Sequence, residues 1–227
     1  MVATGHPRSD QCQVFDMSSS ASTCSNLPSY PLPMSLGAGG IVNGSPILCG
    51  GYTSGSPPQT DKCYRFEKIT NSWELHCNLK SKRSHHASTV MEGSLFITGG
   101  IKVTGFDMAS TEFLYTDGTT QSGPDMPKAR HAHCMVTLPS GKVMILGGHG
   151  SSLARDLFMF DPDDNTFTSG PSLTYDRVHF ACAIFISPQH NNRPVVLAAG
   201  GNFQATAELY DYTNANAWES SICLIFF

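Results

Sequence analysis

Four segments of the chain share one pattern, a short run of mostly apolar or β-branched residues that ends in two glycines. The segments are GSPILCGG (44–51), GSLFITGG (93–100), GKVMILGG (141–148) and RPVVLAAGG (193–201). A short apolar run bounded by turn residues predicts a buried strand. The paired glycines predict a sharp turn where the backbone approaches a neighbouring strand closely. The chain therefore repeats one strand and one turn.

Other positions recur with the same period of about 48 residues, which indicates an internal structural repeat. Three units carry an arginine before the first strand, and an aromatic residue follows each of the four glycine pairs. A further short strand carries Trp or Phe, except in the third unit, where Gln121 stands at that place. The glycine pairs are Gly50-Gly51, Gly99-Gly100, Gly147-Gly148 and Gly200-Gly201. The other repeated positions are Arg83, Arg130 and Arg177, then Tyr64, Tyr115, Phe160 and Tyr210, then Trp73, Phe167 and Trp218.

Four short strands per unit predict the blades of a β-propeller. One twisted sheet cannot bury both of its faces alone, whereas blades packed around an axis cover each other. We therefore predict an all-β propeller of about five four-stranded blades. The predicted units are 1–32, 33–79, 80–127, 128–174 and 175–219, followed by an apolar tail at 220–227.

The order of the repeated residues resembles the kelch repeat. Arginine leads into a strand with small residues and histidine, an apolar strand closes on Gly-Gly, and tyrosine and tryptophan follow. The resemblance covers roughly residues 1–219. It implies that the segment after each arginine is the innermost strand and lines the central channel. It also implies a recognition scaffold, because most kelch propellers bind proteins and few are enzymes.

The first unit lacks its inner strand, since the chain reaches its glycine strand at once. Kelch rings usually close with six or seven blades, and one blade is assembled from both chain ends. The tail SSICLIFF (220–227) has no arginine, histidine or following Gly-Gly strand. We therefore expect an open arc that belongs to a larger kelch protein.

Composition argues against two classes of partner. Charged residues are 14% of the chain, the net charge is −4, and lysine and arginine form no cluster, which disfavours nucleic-acid binding. The longest apolar run, ICLIFF, is far shorter than the roughly 20 residues that a membrane span needs. We expect neither nucleic-acid binding nor membrane insertion.

Histidines follow the repeated arginines, but their spacing does not predict a metal site. They occupy the second or third position after the arginine, so their rings should lie at different levels: His85, His86, His133 and His179. A metal needs three or four ligands at matched depth. We predict packing roles and no cofactor.

The enzyme of the superfamily with a kelch-like propeller, galactose oxidase, needs two tyrosines, a cysteine and two histidines at one copper ion. Tyr64, Tyr210 and Tyr212 fall in the outer part of their blades. The sequence therefore disfavours a galactose-oxidase-like carbohydrate enzyme.

The repeated arginines admit two interpretations. Arg83, Arg130 and Arg177 can bridge adjacent blades through carbonyls or carboxylates, or they can form a basic ring for an acidic partner. The recurrence at one structural position favours the bridging role.

The chain has eight cysteines, and several begin or end predicted strands. We predict the disulfides Cys12–Cys24 and Cys49–Cys63, with Cys77 as a competitor for Cys63. Cys134 and Cys182, on inner strands, are predicted to be free. Strand-end disulfides and an N-glycosylation sequon at Asn43 favour a secreted or extracellular protein, with a cytoplasmic protein as the alternative.

The sequence as a whole favours a non-enzymatic module that binds a protein partner through loops. The irregular loops after the glycine pairs are the candidates: 52–62, 101–110 and 149–156. The first alternative is the substrate-recognition part of a cullin-type ubiquitin-ligase adaptor. The second, disfavoured alternative is the galactose-oxidase-like enzyme.

Overall fold

The computed structural model describes residues 2–3, 10–14, 25–150, 154–201, 204–213 and 217–221. Regular structure in these residues is β except for one short 3-10 helix, Pro188–His190. None of the described helical structure is long and apolar enough to cross a membrane. The predicted all-β class is confirmed.

The strands form five antiparallel sheets in chain order, here called blades 1 to 5. Blade 1 contains β1 (Val2–Ala3), β2 (Cys12–Val14) and β3 (Ser25–Leu27). Blade 2 contains β4 (Ala38–Val42), β5 (Ser45–Cys49), β6 (Lys62–Glu67) and β7 (Ser72–Asn78). Blade 3 contains β8 (Ala87–Met91), β9 (Ser94–Thr98), β10 (Thr111–Leu114) and β11 (Thr120–Ser122).

Blades 4 and 5 follow the same plan, and a two-stranded sheet lies beside blade 4. The short pair is β12 (Arg130–His131) with β15 (His149–Gly150). Blade 4 contains β13 (Cys134–Thr137), β14 (Val143–Leu146), β16 (Leu157–Asp161) and β17 (Thr166–Ser169). Blade 5 contains β18 (Ala181–Ser187), β19 (Arg193–Ala199), β20 (Ala207–Tyr210) and β21 (Glu219–Ser221).

The first strands of blades 2 to 5 are neighbours in the order β4, β8, β13, β18, which places them around one axis. Blade 1 has three strands, and among the described residues no strand of blade 5 pairs with it. The predicted unclosed arc with an incomplete first blade is thus confirmed. Ser220 and Ser221, assigned above to the tail, pair with β20 as the end of β21. Residues 222–227 lie outside the described part.

The core lies between adjacent blades. All residues of β9 and β14 are buried, because blades pack against both faces of these central strands. Between blades 3 and 4, the ring of Phe96 stacks on Phe160 with 4.7 Å between centroids. Between blades 4 and 5, Leu146 packs in one cluster with Val196. This inter-blade burial explains why these strands are continuous apolar runs.

In blades 3 to 5 a buried arginine makes two kinds of hydrogen bond. Its side chain binds the glycine pair of its own blade, and its backbone carbonyl binds the glycine pair of the preceding blade. The side chain of Arg83 donates to the carbonyl of Gly99 at 2.8 Å, and the backbone carbonyl of Arg130 accepts from the N–H of Gly100 at 2.8 Å. The same two bonds recur in the other blades. Arg130 donates to Gly147 at 2.6 Å and Arg177 to Gly200 at 2.7 Å, while Gly51 donates to Arg83 and Gly148 to Arg177. We call this arrangement the arginine–glycine link.

Each guanidinium also has a partner from the third strand of its own blade. Glu112 accepts from Arg83 at 2.5 Å, and Glu208 accepts from Arg177 at 2.8 Å. At the equivalent place in blade 4 the ring of Phe158 lies 4.7 Å from the Arg130 guanidinium carbon. The three arginines are at most 3% exposed, so they cannot present a basic ring to an acidic partner.

In blades 2 to 4 the first glycine of the pair lies under an aromatic ring from the next blade. A Cβ on Gly50 would stand 2.5 Å from Cε1 of His86, and one on Gly99 would stand 2.8 Å from Cε1 of His133. In blade 5 the same place is taken by Phe180, above Gly147. The third residue after each arginine therefore packs directly on the glycine backbone, in space that a Cβ atom would fill.

The predicted third-strand aromatics do not all occupy one position. Phe160 and Tyr210 pair with Val143 and Val196, each four residues before a glycine pair. In blade 3 that position belongs to Leu114, because Tyr115 lies beyond β10 and is 37% exposed. In blade 2, Tyr64 pairs with Leu48, two residues before the glycines. Tyr64 therefore lies in the third strand of its blade but at a different position in the strand, whereas Tyr115 lies just outside β10.

The fourth-strand tryptophans connect neighbouring blades. The indole N–H of Trp73 donates to the carbonyl of Pro28 at 3.1 Å, and that of Trp218 donates to Pro171 at 3.1 Å. Each acceptor lies in the segment that connects the preceding blade to the blade of its tryptophan. Phe167, which has no such donor, pairs with Phe160 and packs on its ring.

Two cysteine pairs are joined. Cys49 and Cys63 lie opposite each other in β5 and β6 with a Cα separation of 4.1 Å. Cys134 and Cys182 are also joined, at a Cα separation of 6.0 Å, so the prediction of free thiols there was wrong. They lie on the inner strands of consecutive blades, which approach closely near the axis.

The other predicted disulfide does not form, because Cys12 carries a free thiol; Cys24 lies outside the described residues. Cys77 lies next to Cys63 across the sheet and is also free. Burial, with a further contribution from Glu112, raises the pKa of the Cys77 thiol to about 11.

Replacing Gly100 by alanine should lower the free energy of unfolding by about 1–3 kcal/mol. Gly100 has φ +100°, and a Cβ there would lie 2.7 Å from the carbonyl oxygen of Ser84. Gly141 is the matched control, since its φ is +85° and nothing lies within 4 Å of its Cβ site. Urea unfolding should show a larger loss for Gly100→Ala, and equal losses would contradict the close approach.

Peptide mapping without reduction should find Cys134 linked to Cys182, with Cys12 and Cys77 open to alkylation. The closed loop spans 48 residues. Changing both linked cysteines to serine should therefore cost about 2–4 kcal/mol of stability. Recovery of alkylated Cys134 from the oxidised native protein would contradict the link.

Stability should fall as the pH drops below about 6.5, because buried histidines resist protonation in the fold. Burial, with the nearby charge of Arg83, lowers the pKa of His86 to about 3. Below about pH 6.5 the histidine therefore takes up a proton in the unfolded chain but not in the fold. This difference lowers the free energy of unfolding below that pH and has no effect above it. Replacing His86 by phenylalanine, as at Phe180, should reduce the loss at pH 5 by about 1–2 kcal/mol. An unchanged pH dependence in urea unfolding would contradict the assignment.

Candidate functional site

The loops after the glycine pairs and the segments that enter the inner strands lie at one end of the blades. This follows from the antiparallel order, because the strand 2–3 loop and the inter-blade connection leave the sheet at the same edge. We call this end the glycine-loop face; it includes 28–37, 50–61, 79–86, 99–110, 123–133, 147–150, 154–156 and 170–180. The opposite end, with the turns 43–44, 68–71 and 92–93, is the hairpin face.

Backbone hydrogen bonds hold the loops of the glycine-loop face in fixed conformations. In 52–62, Thr53 donates to the carbonyl of Pro58 at 2.7 Å. In 101–110, Lys102 donates to Phe106 at 3.1 Å, and Ile101 pairs with Asp107. Part of 149–156 forms β15, while residues 151–153 lie outside the described part. These loops therefore present their side chains from a defined backbone.

The loop 101–110 exposes two apolar side chains. Phe106 is 69% exposed and Val103 is 46% exposed. A large ring held out in solvent by a hydrogen-bonded turn has no folding role in the described structure. It is suited to insertion into a partner's pocket.

A chain of backbone hydrogen bonds surrounds the axis at this face. The N–H of His85 donates to Leu36, that of Ala132 to His85, and that of His179 to Ala132, at 2.8, 2.7 and 3.0 Å. All four residues have φ between +52° and +61°. This conformation is costly for residues other than glycine, and the repeated bonds maintain it.

The histidines after the arginines divide between two environments. His86 and His133 are buried between blades, where Nε2 of His133 lies 2.7 Å from the hydroxyl of Thr98. His85 and His179 instead have rings 5.5 Å apart at the axis. The different levels agree with the sequence analysis, but His131, the first residue after its arginine, also joins the axial group.

Two of the axial histidines, His85 and His179, disfavour protonation. The ring of His131 lies 5.6 Å from that of His85. Burial, with the neighbouring charges of His131 and His179, lowers the pKa of His85 to about 4. Burial and the charge of His131 also lower the pKa of His179. At neutral pH, His85 and His179 are therefore uncharged.

Asp107 lies beside two histidines on this face. Its Oδ1 is 2.6 Å from Nδ1 of His131, and its Oδ2 is 3.9 Å from Nδ1 of His149. Pairing of β12 with β15 places His131 opposite His149. The side chain of His149 is 66% exposed, and those of Asp107 and His131 are 24% and 16% exposed. One nitrogen or oxygen from each residue lies within 4.8 Å of the others.

Sequence reasoning missed these three residues and also the buried glutamates. Glu112 and Glu208 begin similar segments, EFLYT and ELYDY, so comparison of repeats could have found them. Asp107 and His149 occur in loops of different length and sequence. No periodic signal marks them, and only the fold brings them together.

Other candidate residues lie away from the glycine-loop face. The rings of Tyr64 and Tyr210 pack against Tyr30 and Trp218, with 5.2 Å between centroids in each pair. Asn43 is exposed with φ +47° in the turn between β4 and β5, on the hairpin face. The structure does not bring these tyrosines to the axial histidines.

Comparison with known proteins gives distant relatives. No protein-family model matches the chain. The chain is 23% identical to beta-scruin of Limulus polyphemus over 202 residues, 82% of this chain and 21% of that protein. It is 27% identical to Kelch-like protein 15 of Homo sapiens over 160 residues, 60% of this chain and 26% of that protein. The chain thus spans about a fifth to a quarter of the length of these relatives.

Among solved structures, the chain is similar to YjhT with a TM-score of 0.78 at 12% identity. The match covers 98% of this chain and 86% of that chain. At this identity the likeness shows the shared propeller fold. With the repeat pattern and the sequence relatives, it confirms the predicted resemblance: the chain has a β-propeller fold and is similar to kelch-repeat proteins.

Proposed function

We propose that the chain is a non-enzymatic recognition module that binds a protein partner through the glycine-loop face. The observation that carries the proposal is the exposed ring of Phe106 on a loop held by backbone hydrogen bonds. Binding energy at protein interfaces is concentrated in a few rigid, mainly aromatic anchors. A ring ordered before binding costs little entropy when it is buried.

Further apolar side chains lie on the same face. Val103 is in the same loop, Leu36 begins the axial chain of hydrogen bonds, and Tyr175 enters the inner strand of blade 5. Their exposures are 46%, 36% and 37%. The loop 52–60 on the same face contains no charged residue.

Similarity to Kelch-like protein 15 favours a second candidate, the substrate-recognition part of a cullin-type ubiquitin-ligase adaptor. The same glycine-loop face would then hold the substrate. Sequence of the transcript upstream of Met1 tests this candidate, because an adaptor encodes a partner-recruiting helical domain there. Its absence would leave the simple recognition module.

The outer positions of Tyr64 and Tyr210 do not support a copper oxidase. Such a site needs both tyrosines at the metal with two histidines, whereas these rings pack against Tyr30 and Trp218. The axial histidines lie at the other side of the blade, on the inner-strand end.

We further propose that the protein works in an oxidising compartment. The disulfides Cys49–Cys63 and Cys134–Cys182 support this, since such bonds persist mainly in secreted and extracellular proteins. The exposed turn position of Asn43 would allow a glycan without displacing a buried group. Mass analysis of protein secreted from eukaryotic cells tests for that glycan.

Replacing Phe106 by serine should weaken partner binding by about tenfold or more, without a change in melting temperature. The matched control is Ile69→Ser, since Ile69 is 97% exposed on the hairpin face. Affinity capture with the parent chain and with each of the two variants identifies the candidate partner. Titration of the purified partner against each of them then gives the dissociation constants.

The expected partner is retained by Ile69→Ser and lost by Phe106→Ser. A partner whose affinity is unchanged by Phe106→Ser, or is lowered equally by both changes, would place the interaction elsewhere.

A further inference from the structure

We propose that Asp107, His131 and His149 bind a divalent transition-metal ion of the Zn²⁺ class on the glycine-loop face. Asp107 follows Phe106 in the same loop, but metal binding at this site does not depend on the proposed protein binding. Its chemistry is two imidazole nitrogens and one carboxylate, with at least one coordination position left for water or another ligand.

The distances are close to those that a metal requires. Zinc binds imidazole nitrogen and carboxylate oxygen at about 2.0–2.2 Å, so ligand atoms in a tetrahedral site stand roughly 3.3 Å apart. The observed separations from Asp107 are 2.6 Å to His131 and 3.9 Å to His149. Small rotations of the side chains bring both distances to about 3.3 Å. The ring of His149, which is exposed, can make the larger of these rotations.

Backbone pairing positions all three residues from more than one element. His131 and His149 are directly opposite in β12 and β15, with Arg130 opposite Gly150 beside them. Asp107 is paired with Ile101, which in turn pairs with Ser84 of the inner-strand segment. The ligands are thus held by three connected stretches of backbone, which limits the entropy lost when the ion binds.

A simple histidine–carboxylate ion pair does not account for the arrangement. One histidine would satisfy such a pair, whereas here each carboxylate oxygen faces a different imidazole. The protein also contains a simple pair for comparison, with Nε2 of His190 at 3.4 Å from Glu219. Convergence of a second histidine is what distinguishes the Asp107 group.

The donor set selects the class of metal. Imidazole suits Zn²⁺, Cu²⁺, Ni²⁺ and Fe²⁺, whereas Mg²⁺ and Ca²⁺ require mainly oxygen ligands. One carboxylate and two imidazoles therefore favour a first-row transition metal. With about four ligands needed and three supplied by the protein, the fourth position remains open.

The test is titration of the oxidised 227-residue chain with Zn²⁺ by calorimetry, and with Co²⁺ by visible absorption. The variants are Asp107→Asn, which keeps the side-chain shape, and His149→Ala, which removes an exposed ring. The control is His190→Ala, which removes a histidine from the other histidine–carboxylate pair. Circular dichroism and melting temperature establish that each variant is folded.

We expect one saturable site, with the affinity lowered at least about tenfold in each of the two site variants. The control should bind as the parent does, and histidine NMR signals of His131 and His149 should shift on addition of Zn²⁺. Absence of saturable binding at millimolar Zn²⁺ would overturn the proposal. Binding that survives both site variants, or that falls equally in His190→Ala, would overturn it as well.

Discussion

The arginine–glycine link is the interaction on which the packing of the blades depends. In each of blades 3 to 5 a buried guanidinium donates to the first glycine of its own blade, while the arginine's own carbonyl accepts from the second glycine of the preceding blade. One residue thereby fixes the turn within a blade and the contact between two blades. An unpaired buried charge costs about 3–5 kcal/mol, so the link also requires a partner for the guanidinium.

That requirement is met in two ways. Glu112 and Glu208 supply a carboxylate, whereas Phe158 supplies the face of a ring. In blade 4 the Arg130 guanidinium also lies 3.7 Å from the carboxylate of Asp156, which opposes the effect of burial, and burial lowers the pKa of the guanidinium to about 10. The third-strand residue beside the guanidinium can thus be a glutamate or a phenylalanine, while the hydrogen bond from the arginine to the glycine carbonyl is kept.

The link also determines where recognition chemistry can occur. Because the glycine pairs end the second strands at the same edge where the chain enters the inner strands, the following loops and the segments after the arginines meet on one face. The axial chain through His85, Ala132 and His179 and the loop that carries Phe106 and Asp107 all lie there. Substitutions in these exposed loops would change the surface without disturbing the buried links.

The sequence by itself determined the all-β class, the blade period and the identity of the repeated glycines and arginines. These features are local or periodic, so spacing along the chain reveals them. It also indicated that Cys49 and Cys63 lie at matching strand ends. Only the tertiary structure decided which residues become neighbours across blades. Cys134 meets Cys182, and Asp107 meets His131 and His149, because strands and loops distant in sequence converge at the axis. Such contacts depend on the rotation of each blade relative to the next and on the conformation of the loops. The repeat period gives only the spacing of residues along the chain, so it predicts neither of these.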